Sequence, residues 1–322
     1  MPSVDFRRPR PRWRRLTSEL ADATSPASEL LTDALPSLRQ IQADYRDVPG
    51  PIRISGGSSN AGTLGSAFDL WVQLHALPRP QLEPVSRGAR LVGPAMADAC
   101  DELLNFLGPA GSAPVRSFIG TWTGPTTRLE SDALLRLCWA AACLVEVFRI
   151  GRVAPGSPIA ALPPDGVPDL LGLAPAAVVD ELADLTALAS TRLLPRLCTM
   201  ATNGPTWPNP TLAGSAQMPA DADLVVGHTL VELKTVLGSK TATGRRAVLD
   251  KATLYQLVGY VVHDYGDELE ISSVALYQAR YGHLAVWDLQ RLLDQLAGRP
   301  VDLPQLRERW RAMLAAGKTI HP

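Results

Sequence analysis

Residues 221–260 read DADLVVGHTLVELKTVLGSKTATGRRAVLDKATLYQLVGY, and the rest of the chain can be arranged around them. Asp223 precedes the apolar run Leu224-Val225-Val226, a Gly227-His228 turn follows, and Leu230-Val231-Glu232-Leu233-Lys234 resumes the extended pattern. Aliphatic and β-branched residues flanking a tight glycine-containing turn predict a β-hairpin. The period of two along a strand puts Glu232 and Lys234 on one face and Leu233 on the other. A polar, basic loop then leads to a helical pattern carrying Gln256 and Tyr260, whose spacing of four places them on one helix face. Two carboxylates and an ammonium group thus converge at one end of a small sheet.

Asp223 and Glu232 form a hard oxygen site suited to Mg²⁺ or Mn²⁺, which bind through few protein ligands and keep waters for substrate phosphates. The Leu233 carbonyl is a candidate further ligand. Lys234 beside them can orient or deprotonate an attacking water, while a bound metal polarises a phosphodiester. An Asp, Glu and Lys near a hairpin are ordinarily its solvated face, and Gln256 with Tyr260 could be a polar stripe on an amphipathic helix. Their joint order, among hydrophobic neighbours, favours a site.

Asp, then Glu-x-Lys across a hairpin, resembles the signature of the PD-(D/E)XK nucleases, although Ala222 stands where the family name has proline. Gln256-Leu257-Val258-Gly259-Tyr260 is similar to the Q-x-x-x-Y motif that RecB-type nucleases carry on the helix after the E-x-K strand. The resemblance implies an α/β fold with an α-β-β-β-α-β core and a mixed sheet, Asp223 and the E-x-K strand being central. It implies metal-dependent hydrolysis of DNA phosphodiesters, with Gln256 and Tyr260 orienting the substrate or the lysine, in DNA repair, phage defence or mobile-element processing. Gly65-Ser66-Ala67-Phe68-Asp69 is similar to the Gly-x-x-x-His start of the first helix in RecB-type enzymes, where the histidine is an extra metal ligand. Asp69 occupies that position here, with Glu181 and Asp184 as rivals. Some relatives hold an iron–sulfur cluster using three cysteines after the Q-x-x-x-Y helix; no cysteine follows Tyr260, so none is expected. Rival readings are a non-catalytic nucleic-acid- or protein-binding module on the same fold, or a subunit active only within a larger protein machine.

The chain has 322 residues, 46% of them hydrophobic, enough for one large core or two modest ones. A net charge of −1 gives no global pull toward nucleic acid, so DNA affinity must be local. Lys240, Arg245, Arg246 and Lys251 surround the flexible-looking Gly238 and Gly244 beside the candidate site. They suit backbone phosphates, which carry no base information. Residues 1–16, with six arginines broken by Pro9 and Pro11, predict an extended or disordered tail, Trp13 being available for base stacking. The four cysteines (Cys100, Cys138, Cys143, Cys198) lack C-x-x-C spacing and read as buried free thiols of a reducing cytosol. The absence of a long apolar run or signal segment makes a cytoplasmic location, with no membrane partner, the expectation.

Helical periodicity is expected after the Gly/Ser/Asn loop within 56–77, over 91–107, over 129–151 as a buried helix, and over 176–197, ending near Pro195. His75 reads as a packed helix residue and Glu146 as a rim or ion-paired one. The Pro/Gly-rich segment 151–169 is the best internal boundary. Beyond it come a first strand near 211–216, the hairpin, a helix near 247–264, strands around Val274–Tyr277 and Leu284–Trp287 joined at Tyr281-Gly282, and helices over 288–297 and 303–316. The expected organisation is a basic tail (1–16), a mainly helical region (17–170) and the nuclease-like core (171–322), forming one elaborated domain.

Overall fold

A computed structural model describes residues 13–57, 60–76, 81–107, 128–163 and 168–317. Its centre is a five-stranded mixed sheet made of β1 (Thr206–Pro208), β2 (Leu224–Val226), β3 (Thr229–Lys234), β6 (Ser273–Gln278) and β7 (His283–Asp288), in the order β1-β2-β3-β6-β7. A separate two-stranded ribbon joins β4 (Ser239–Thr241) to β5 (Gly244–Arg246). The hairpin pairs Leu224 with Val231 and Val226 with Thr229, and Gly227 closes it at φ 58°. A Cβ at Gly227 would stand 2.5 Å from the Met200 carbonyl, so the turn requires glycine for conformation and for space.

Strand β3 runs parallel to β6, and all other pairs are antiparallel. Parallel neighbours need a crossover, and the helix Lys251–His263, which lies between them in the chain, supplies it. The strands of a parallel pair are covered on both faces, which is why Leu230, Val231, Val274 and Leu276 are all buried. Alternation divides them between two cores. Leu224, Val226, Val231, Leu233, Ala275 and Tyr277 face one, and Val225, Leu230, Val274 and Leu276 the other.

Helices reach these faces from both ends of the chain. In chain order they are α1 (Leu16–Ala21), α2 (Pro26–Ala34), α3 (Arg39–Tyr45), α4 (Ala61–Ala76), α5 (Glu83–Val92), α6 (Pro94–Leu107), α7 (Arg128–Ile150), α8 (Ala176–Arg192), α9 (Leu194–Ala201), α10 (Lys251–His263), α11 (Leu289–Ala297) and α12 (Leu303–Ala316). The first core takes α4 to α9, and the second takes α1 to α3 together with α10 to α12. Both cores therefore draw on residues from either side of segment 151–169. Helices α5 and α7 touch backbone to backbone at Gly88, where a Cβ would stand 1.9 Å from the Leu144 carbonyl. No helix among the described residues is long and apolar enough to cross a membrane.

Several expectations are corrected. The first strand is Thr206–Pro208, not 211–216; Ala213–Ala216 forms a 3₁₀ turn held by the Ser215 hydroxyl on the Leu212 amide. Residues 91–107 are split at Gly93, whose φ of 152° suits glycine alone, so α5 ends before Pro94 starts α6. Residues 176–197 likewise divide at Leu193, with Pro195 in the first turn of α9 rather than after a helix end. Trp13 is not a free stacking platform: it is buried, and its indole N–H donates to the Leu314 carbonyl at 3.3 Å. Arg14 bonds Glu19, and Leu16 opens α1, so the tail ends by residue 13; residues 1–12 lie outside the described residues. Cys198 is exposed, the other three thiols buried. The segment carrying Lys240 and Arg245 is the β4–β5 ribbon instead of a loop.

Candidate active site

Helix α10 brings Gln256 and Tyr260 over β3. Its N-terminus is fixed by the Asp250 carboxylate, which accepts from the Thr253 amide at 2.7 Å. Its far end is locked where His263 Nδ1 accepts from the Trp310 indole at 2.9 Å and Nε2 donates to the Met218 carbonyl at 2.9 Å. Burial pushes the His263 pKa down to about 4, which keeps this donor–acceptor assignment neutral.

The site itself is a closed network. Lys234 Nζ donates to Glu232 Oε1 at 2.7 Å and to Gln256 Oε1 at 2.9 Å. Gln256 Nε2 donates to the same Glu232 oxygen at 2.8 Å and to the Tyr260 hydroxyl at 2.8 Å. One amide thus orients the lysine, the glutamate and the phenol together. Burial depresses the Lys234 pKa, but the Glu232 charge and hydrogen bond, with Asp223 adding to them, outweigh this and raise it. Lys234 is therefore held as an ammonium ion. Burial, then the charges of Glu232 and Asp223, push the Tyr260 pKa well up, so its hydroxyl keeps its proton.

Asp223 reaches the same place from β2. Its Oδ2 accepts from the Leu233 amide at 2.7 Å, a bond possible because β2 begins only at Leu224 and leaves that stretch of β3 unpaired on the edge away from β6. The N–H and C=O of one residue in a strand point to the same side, so the Leu233 carbonyl faces this gap as well. Burial first, then Glu232 and Asp69, raise the Asp223 pKa well above the usual carboxylate range.

Asp69 arrives on α4, which packs on the opposite face through Phe68 stacked on Tyr277 with centroids 6.3 Å apart. Its Oδ2 accepts from Gln73 Nε2 at 2.9 Å. Burial is the main cause that raises its pKa to about 7; Gln73 and Arg149 oppose the shift, and the Glu232 charge adds to it. Asp69, Asp223 and Glu232 therefore feel one another electrostatically. Asp69 Oδ1 and Glu232 Oε2 are buried without a hydrogen-bond donor. With Asp223 turned onto the Leu233 amide and Glu232 onto Lys234 and Gln256, no three histidine, cysteine, aspartate or glutamate side chains among the described residues gather closely enough to hold a metal. The donor set nonetheless fits a hard divalent cation: all-oxygen, acidic, and with two orphaned acceptors.

The rival acids do other work. Glu181 is ion-paired to buried Arg280, which also donates to the Thr235, Ile54 and Gly56 carbonyls. Asp184 is exposed. His75 is packed against Trp71 with ring centroids 4.0 Å apart, and Glu146 accepts from the Thr63 hydroxyl at 3.2 Å. Of the basic residues, Lys240 and Arg246 are exposed on the ribbon, and Arg245 is partly held by the Gly238 carbonyl. Lys251 is drawn to Thr32 on α2 at 2.9 Å and over the Tyr255 ring, which commits its ammonium elsewhere.

The sequence reading missed Gln73 and Arg149. Gln73 follows Asp69 by four, a signal visible on any helix projection, whereas Arg149 becomes relevant only through the packing of α7 on α4. Neither a family model, nor a curated protein, nor a solved structure matches the chain.

Proposed function

We propose that this protein is a metal-dependent nuclease of the PD-(D/E)XK type, RecB-like in its motifs, that hydrolyses DNA phosphodiester bonds. The observation that carries the reading is the shared Glu232 oxygen: Lys234 and Gln256 both bond Oε1, leaving Oε2 buried and without a donor beside two further carboxylates. A merely solvated hairpin face has no cause to accumulate that much unneutralised acceptor. The strand order β1-β2-β3-β6-β7, with the crossover helix carrying Gln256 and Tyr260, supports the same core.

Asp223, Glu232 and the Leu233 carbonyl, with Asp69 from α4, would hold Mg²⁺ or Mn²⁺. The bound ion would polarise the scissile phosphodiester and acidify a water. The chain's own groups do the rest. Lys234, kept protonated, places positive charge and donors where a phosphate's negative charge grows, and Gln256 fixes its direction. Tyr260 presents a neutral hydroxyl at the same wall. Lys240, Arg245 and Arg246 on the ribbon contact backbone phosphates without reading bases.

The test is cleavage of linear, circular single-stranded and supercoiled DNA in Mg²⁺, Mn²⁺ or EDTA, wild type against Glu232→Gln. Metal-dependent cutting lost in the variant is expected. Equal cutting by a pure sample of the variant would overturn the assignment.

A further inference from the structure

The two edges of the central sheet are built differently. β1 is three residues long and holds Pro208, features that keep an edge from recruiting another strand. β7 has neither. It runs for six residues, pairs with β6 at every one of them without a bulge, and carries no proline, lysine or arginine. Its single charge, Asp288, stands at its end. Among the described residues no strand or bridge covers its outer edge. Val286 on this strand is 40% exposed. A cavity of about 480 Å³ runs along the strand between α3 and α11, lined by Ile41, Tyr45, Val48 and Leu292. An open edge with an apolar trough beside it is a template for a further strand.

The side chains of β7 say which strand that is. When a strand pairs antiparallel with its own copy, the two-fold axis stands perpendicular to the sheet, and directly opposed side chains leave by the same face. Odd positions therefore meet odd ones, and even meet even. With Ala285 on the axis, Leu284 meets the copy's Val286, and His283 meets the copy's Trp287. Asp288 then falls opposite Gly282, which has no side chain. Moving the axis to Val286 sets Leu284 against Asp288, and moving it to Leu284 leaves Val286 against Gly282, uncovered. A polar match accompanies the apolar one. His283 Nε2 is buried without a hydrogen-bond partner, and burial lowers the pKa of the ring, which keeps it neutral and able to accept. The opposed indole brings an N–H within reach, and Trp310 makes that same bond to His263 inside the fold at 2.9 Å. Tyr45 packs against both aromatic positions, its ring centroid 5.9 Å from His283 and 6.0 Å from Trp287.

We infer that β7 pairs antiparallel, about Ala285, with β7 of a second copy of this chain, joining two five-stranded sheets into one continuous sheet. This goes beyond the nuclease reading and does not depend on it. The carboxylate site, at β2 and β3, is separated from the junction by β6, so each copy keeps its own site whole.

The experiment is sedimentation velocity of the full chain at concentrations rising to about 100 μM, where even a micromolar association is saturated. Wild type is compared with Val286→Lys and, on the opposite edge, Trp207→Lys, each checked by thermal melting. Wild type is expected to pass from monomer to dimer. Val286→Lys is expected to weaken the dimer by at least about tenfold, and Trp207→Lys to leave it unchanged. A wild type that stays monomeric throughout overturns the inference, as does a dimer that Val286→Lys does not weaken. Register is read separately by oxidising Ala285→Cys and Val286→Cys, each in a Cys198→Ser background. Across the axis the Cα atoms at 285 stand about 4.5–5.5 Å apart, within disulfide reach, whereas those at 286 are offset to about 8 Å. A covalent dimer from Ala285→Cys alone is expected. No cross-link at Ala285→Cys, or one formed as readily at Val286→Cys, overturns the pairing about Ala285.

Discussion

Two buried glutamates, Glu181 and Glu232, each meet a basic side chain, yet they belong to different kinds of region. Glu181 pairs one-to-one with Arg280, whose remaining donors tie the chain at Ile54, Gly56 and Thr235. One charge cancels one charge, and the guanidinium's fork joins α8, the segment before α4 and the end of β3. At Glu232 the single ammonium of Lys234 stands against three carboxylates, and burial together with the charges of its neighbours raises the proton affinity of both Asp69 and Asp223. Burying a balanced pair serves the fold, whereas burying an acidic excess is a cost that a divalent cation relieves. Charge balance, more than burial, separates the structural glutamate from the candidate ligand.

The contrast would break most visibly in stability. Arg280→Ala leaves Glu181 buried and unpaired and removes three carbonyl contacts, so a loss of about 3–5 kcal/mol is expected in urea unfolding. Glu232→Gln removes one of the mutually repelling charges, so its midpoint without metal should match or exceed that of wild type. If both variants lost stability alike, the distinction between the two glutamates would fail. Activity should invert the order. Lys234→Ala is expected to cost about 10²–10³ in cleavage rate with DNA binding retained, measured by single-turnover kinetics.

How far the sequence revealed this contrast depends on the range of the interactions. Asp223, Glu232, Lys234, Gln256 and Tyr260 were legible because a tight hairpin and one crossover helix set their spacing, and strand and helix periods fix which side chains share a face. Glu181 and Asp69 looked interchangeable, since which helix acid faces the sheet is decided by the α4–α8 packing and by Arg280, far along the chain. β1 was misplaced because its three residues, one of them proline and one the exposed Trp207, carry no alternation. Trp13 sits among arginines, and nothing local foretells that α12 covers it.

Dependence on pH sharpens the comparison. The folded pKa of Asp69 lies at about 7, above the usual carboxylate value, because burial penalises its charge. A raised folded pKa means stability that is complete below about pH 4 and lost as pH rises through about 7. Asp69→Asn should therefore melt at nearly the wild-type temperature at pH 4 and above it at pH 8 in EDTA. His75 and His263 run the other way. With folded pKa values of about 4, they remove stability as pH falls from about 6.5 toward 4. Melting curves in EDTA should thus fall away on both sides, and Asp69→Asn should flatten only the alkaline one. Added Mg²⁺ should raise the wild-type midpoint more at pH 8 than at pH 5, because the ligand must first lose its proton.

The smallest effects concern the basic residues, where one sequence motif divides into two environments. Lys240 stands free on the ribbon, while Lys251 is held by Thr32 and Tyr255. If the ribbon carries the phosphate contacts, Lys240→Ala should weaken DNA binding and reduce the slope of log affinity against log salt by about 0.7–0.9. Lys251→Ala should leave that slope unchanged and cost stability only about 0.5 kcal/mol, the worth of a surface cation–π contact. Equal slopes for the two variants would return Lys251 to the DNA-binding set and place the α10 N-terminus, along with the ribbon, under the substrate backbone.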